Sequence, residues 1–101
     1  MNNYTIQINQ DALQDIRDAA DWYNFKTKGL GDEFKRQAIS QINTLKKNPS
    51  IYAIRYADVR CLLIKNYPFL VHFIIDETNI LVKVFAIFHT SRNPRIWQER
   101  L

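Results

Sequence analysis

From Gln10 onward the hydrophobic periodicity of this chain changes once, at Pro49. Before it, Leu13, Ile16, Ala20 and Tyr23, and then Phe34, Ala38, Ile42 and Leu45, recur at the three- and four-residue spacing of amphipathic helices. After it, short apolar segments separated by turn residues follow the two-residue period of strands as far as Phe88. A chain that keeps its helices apart from its strands in this way packs as two layers. The expected fold is α+β, with a helical hairpin covering one face of a mostly antiparallel sheet.

The punctuation locates the elements. YTIQIN alternates Tyr4, Ile6 and Ile8 with Thr5, Gln7 and Asn9, which predicts an opening strand over residues 3–8. Asn9 is placed to cap the first helix, Asp11 lies in its first turn, and Gly29 is expected to close it near Lys28. The second helix follows Leu30 and Gly31, carries Lys46 and Lys47 in its last turn, and is stopped by Pro49. Strands are expected over Tyr52–Tyr56, Val59–Asn66, Phe69–Asp76 and Ile80–Phe88. A short terminal helix, PRIWQER, is capped by Asn93. In the last long strand Ile80, Val82, Val84, Ala86 and Phe88 form the apolar, helix-facing set. Leu81, Lys83, Phe85, Ile87 and His89 then form a mixed outer face. Trp22, Tyr23, Phe34, Ile42 and Leu45 are expected to join the hairpin to the sheet.

With 101 residues, 47% hydrophobic, two Gly and three Pro, residues 1–101 read as one domain with its own core. Cys61 is the only cysteine, which excludes an intrachain disulfide and suits a reducing compartment. No apolar run approaches the ~20 residues of a membrane-spanning helix, and the first residues lack a signal-peptide pattern. A soluble cytoplasmic protein without membrane association is expected. The net charge is +4, and it is unevenly spread. Six of the ten acidic residues lie at or before Glu33 and eleven of the 14 basic residues after it, so one part of the surface should be positive.

No GxGxxG, GxxxxGK[ST] or HExxH pattern is present, and no cofactor or metal is expected. His72 and Cys61, each alone in an apolar strand, read as packing residues. The richest chemistry lies in HTSRNPRIWQER, where His89, Arg92, Arg95, Trp97 and Arg100 gather an imidazole, three guanidinium groups and an indole. Such a set can bind phosphate or stack on a base, or it can be a tail helix packed by Trp97 with its arginines paired to carboxylates.

The ordered landmarks DALQDIRDAADWYNFKTKGLGDEF, NPSIYAIRYADVRCLLIKNYPFLVHFIID and VFAIFHTSRNPRIWQER resemble the RelE/ParE superfamily of type II toxins over nearly the whole chain. The resemblance implies a small toxin neutralised by a cognate antitoxin, whose disordered segment folds across the toxin surface. RelE-like members cleave mRNA in the ribosome, whereas ParE-like members act on DNA gyrase. The nuclease pattern would place alternating lysines where Arg60, Leu62 and Ile64 stand, an arginine near Phe69 and a tyrosine near Trp97. Only Arg60 keeps a cation here. The Trp22–Tyr23 pair, the Leu30–Gly31 link and the HxxRxPxxW ending are closer to the ParE branch. Gyrase inhibition is therefore the first expectation, with Arg92, Arg95 and Trp97 binding the target and Lys83, Phe85 and Ile87 docking the antitoxin. The alternatives are a ribosome-dependent ribonuclease built on His89, Arg60 and Arg92, and a non-toxic relative that only binds its partner.

Overall fold

The computed structural model describes residues 3–101. The elements run β1 (Thr5–Ile8), α1 (Gln10–Lys26), α2 (Leu30–Asn43), β2 (Ile54–Tyr56), β3 (Val59–Leu63), β4 (Phe69–Asp76) and β5 (Leu81–His89). Single turns of 3-10 helix occupy Thr44–Lys46 and Pro49–Ile51, and a longer one, Pro94–Arg100, ends the chain. The five strands form one sheet in the order β1-β5-β4-β3-β2, antiparallel except for the parallel pair β1–β5. This is the expected α+β arrangement.

Asn9 caps α1 as expected, its side chain accepting a hydrogen bond from the Ala12 amide at 2.8 Å. The helix stops at Lys26, one turn before Gly29 could close it, with Thr27 at its C-terminal boundary. Gly29, at φ 89°, instead precedes α2. The tight link is held from within, because the Asn24 side chain accepts from the amides of both Gly29 (3.1 Å) and Gly31 (2.7 Å). Gly31 is required by proximity, since a Cβ there would sit 1.9 Å from the Ala20 carbonyl oxygen.

The main core lies between the helical hairpin and the sheet. Phe34, Ile42, Leu45, Val71, Phe73 and Val82 are almost wholly buried in it, and Tyr23 packs at its margin. Trp22 departs from expectation: it is 57% exposed, because its position on α1 points away from both α2 and the sheet.

The outer face of the sheet also departs from expectation. Phe73 pairs with Val84 but His72 pairs with Ala86, so Phe85 is an extra residue in β5, a β-bulge. The alternation reverses there. Val82 and Val84 face the helices as expected, but beyond the bulge Ile87 joins that core while Ala86 and Phe88 turn to the opposite face. On that face Phe85, Ala86, Phe88, Val59 and Cys61 form a second cluster, sealed by Trp97 from the C-terminal 3-10 helix. The expected open surface of Lys83, Phe85 and Ile87 is thus corrected: Phe85 (8% exposed) is covered by the C-terminal segment and Ile87 (3%) by α1, leaving only Lys83 open, 3.4 Å from Asp76.

Candidate functional site

The end of β5 and the turn after it display the cations. His89 pairs across the sheet with Phe69 and stands edge-on to its ring, with centroids 5.1 Å apart. The Arg92 amide donates to the His89 carbonyl at 3.0 Å, closing the turn, and the Asn93 side chain accepts from the Arg95 amide at 3.0 Å to start the final helix. Arg92 lays its guanidinium over the Phe88 ring, 5.3 Å from the centroid. His89 is oriented by Ser91, whose amide donates to Nδ1 at 3.0 Å and whose hydroxyl lies 2.7 Å from the same atom. An Nδ1 that accepts leaves the ring proton of neutral His89 on Nε2. The imidazole is thus held at Nδ1 and presents Nε2–H as a hydrogen-bond donor.

Opposite stands α1. Asp15, Asp18, Phe69, His89 and Arg92 line one shallow recess. Asp15 is committed elsewhere: it accepts the Ile87 amide at 2.9 Å and is held bidentately by Arg100, with Nη2 to Oδ1 at 2.9 Å. Asp18 accepts from the Gln14 side chain at 2.8 Å. Arg92 and Arg95 are exposed and form no ion pair among the described residues. Asp15 was legible only as one member of an acidic run, because its partner lies 85 residues away.

Arg60 does not join this recess. It pairs with Phe73, four residues along β4 from the partner of His89 and two strands from β5, which places it roughly 16 Å away on the sheet lattice. Its guanidinium donates to the carbonyls of Tyr52 (2.5 Å) and Ser50 (3.2 Å), fixing the segment before β2. Trp97 is also elsewhere, buried over the second cluster against Tyr56 and His72. The expectation that its ring faces a target is corrected, since its apolar body closes the outer face of the sheet.

The same cluster contains the other two sequence candidates. His72 is wholly buried, with Nδ1 2.9 Å from the Tyr56 hydroxyl and 3.5 Å from Cys61 Sγ. Burial first, and then the nearby Arg55 and Arg100, push its pKa down to about 4. Burial raises the Cys61 thiol to about 11 against the opposing pull of Arg55, so it is a packing residue and no nucleophile at neutral pH. Among the described residues no group of His, Cys, Asp or Glu has a metal-binding arrangement, and no helix is long and apolar enough to cross a membrane.

The family described as "ParE toxin of type II toxin-antitoxin system, parDE" matches residues 6–94. No curated protein matches in sequence. Among solved structures, a component of the chromosomal ParDE toxin-antitoxin system from P. aeruginosa superposes with a TM-score of 0.77 at 16% identity, covering 87% of this chain and 97% of that one. A mutant of the E. coli toxin RelE in the free state gives 0.71 at 14% identity, covering 97% and 94%. A chain of the intact E. coli RelBE toxin-antitoxin complex gives 0.67 at 15% identity, covering 88% and 99%. At these identities the likeness is one of fold.

Proposed function

The chain belongs to the ParE toxin family of type II toxin-antitoxin systems, and from that premise we propose that it arrests growth by binding DNA gyrase and is held inactive by a cognate antitoxin. The observation that carries the gyrase reading is the dispersal of the nuclease candidates. Driving a 2′-hydroxyl onto the adjacent phosphate needs a proton-transfer group and cationic stabilisers around one phosphate. Here His89 and Arg92 share a recess with two carboxylates, while Arg60 is engaged by backbone carbonyls on another part of the sheet. Arg92 and Arg95 are instead free to meet an acidic protein surface. Trp97 serves this indirectly, by anchoring the helix that follows Arg92 and carries Arg95.

The antitoxin is expected on the outer sheet face beside that helix. A mainly apolar groove there is lined by Gln7, Ile74, Lys83, Phe85 and Arg100. Phe85 contributes to its wall rather than standing free, and the apolar lining favours a partly apolar peptide.

The second reading, a ribosome-dependent ribonuclease, is favoured by one observation: an imidazole that Ser91 orients lies in the same recess as Arg92. The two are separated by expressing His89→Ala and the double reversal Arg92→Glu, Arg95→Glu in bacteria, with gyrase supercoiling and mRNA cleavage assayed on purified protein. A gyrase binder keeps most of its toxicity without His89 and loses supercoiling inhibition on charge reversal. Cleavage of ribosome-bound mRNA that falls by roughly 10²-fold or more in His89→Ala would replace the gyrase reading with the nuclease one.

A further inference from the structure

Between Glu33 and Asp58 the sequence has no acidic residue but contains Lys35, Arg36, Lys46, Lys47 and Arg55. The first four are exposed on α2 and the turn that continues it, and none makes an ion pair among the described residues. Offsets of four and three residues put Arg36, Ser40 and Asn43 on a single stripe opposite the buried Phe34–Ala38–Ile42 face, with Lys35 on the same helix and Lys46 and Lys47 on the 3-10 turn that continues it. Two shallow recesses meet on this stripe and share Ser40 and Asn43. The nearest carboxylates, Asp32 and Glu33, are confined to the first turn of α2.

We propose that this face of α2 and the following turn is a docking surface for the phosphate backbone of a nucleic-acid duplex. The chemistry favours that partner in three ways. The cations are interleaved with small hydroxyl and amide side chains, Ser40, Asn43 and Thr44, the groups that accompany Lys and Arg in contacts to phosphate oxygens. From Arg36 to Lys47 the surface runs roughly 16 Å at the helical rise, long enough to meet more than one phosphate of a duplex backbone. Between Arg36 and Lys47 the segment has no aromatic residue, and Tyr52 at the edge of one recess is only partly exposed, whereas single-strand binding stacks bases on exposed rings. The surface is separate from the His89–Arg92 recess, so the inference stands whichever target the toxin has.

The test is titration of the full-length protein into a fluorescently labelled 20-base-pair DNA duplex, followed by anisotropy over a range of salt concentrations. Four phosphate contacts predict that log K falls against log salt with a slope of roughly −3 to −4. The quadruple variant Lys35→Ala, Arg36→Ala, Lys46→Ala, Lys47→Ala should lose nearly all of that slope. These positions are exposed on helical turns, and the milder pair Lys46→Gln, Lys47→Gln should remove about half of it. The inference is overturned if the duplex does not bind at low salt. It is overturned equally if binding survives in the quadruple variant while Arg92→Ala, Arg95→Ala abolishes it, or if polyglutamate or anionic vesicles bind more tightly than the duplex.

Discussion

His72 is a wholly buried polar side chain. Its ring is enclosed by Trp97, Phe88 and Phe85, and only Nδ1 has a hydrogen-bonding partner, so the folded protein holds it neutral with a pKa near 4. Because that value lies below the ordinary one, the unfolded chain binds more protons between about pH 6.5 and 4, and stability falls as the pH drops through that window. The expected loss is up to ~3 kcal/mol from this group. Urea unfolding at a series of pH values should show the loss, and His72→Leu should flatten the curve; a parallel decline in that variant would place the acid sensitivity elsewhere. Asp15 makes a comparable prediction from its role as a clamp. Asp15→Ala removes the acceptor of the Ile87 amide and frees Arg100, at a cost of about 2 to 3 kcal/mol. At roughly 4–8 °C per kcal/mol for a domain of this size, circular dichroism should register a large fall in Tm. A shift of less than a few degrees would mean that the clamp is energetically idle. The sequence pointed to His72 as a packing residue, but neither its complete burial nor the pairing of Asp15 with Arg100 could be read there, because both depend on the C-terminal segment folding back.

Among the elements, the helical hairpin is the one whose sequence and geometry agree most closely, and its two glycines separate two reasons for having one. Gly29 needs its freedom because its φ is 89°, yet a methyl group there would meet nothing within 4 Å; Gly31 has ordinary helical geometry but no room for one. Gly31→Ala should therefore lower Tm well beyond Gly29→Ala, whose strain is limited to roughly 1–2 kcal/mol. The reverse order would show that α1 and α2 can separate without loss. The strands teach a different lesson. Phe69–Asp76 was legible to the residue because its ends are marked by Pro68 and by a turn with Asn79 anchored on Asp76. The facing of β5 was not, because from Val82 to Phe88 only Lys83 is polar, and nothing in such a run reveals where a bulge reverses it. The exposed docking face and the solvent-facing Trp97 were both inferred without that reversal and without the cover it calls for. His89 and Arg92, by contrast, were found together because turn chemistry places them three residues apart.

At the scale of the whole molecule, charge is sorted by element. The acidic side chains concentrate on α1, while α2 and the turn after it are basic, and the cationic turn after β5 stands against α1 across the recess. Such a distribution permits several partners to be engaged by separate surfaces. One connection closes the whole arrangement: β1, within the first ten residues, lies alongside β5, pairing Thr5 with Leu81 and Ile8 with Val84. The order of synthesis gives this pairing a meaning. A nascent chain that has reached only its eightieth residue contains both helices and three neighbouring strands, but its first strand has nothing to pair with, and the core wall that β5 supplies is missing. A chain that stops there therefore leaves one wall of its core open and is exposed to proteolysis, and the surfaces described above come together only once β5 has been made.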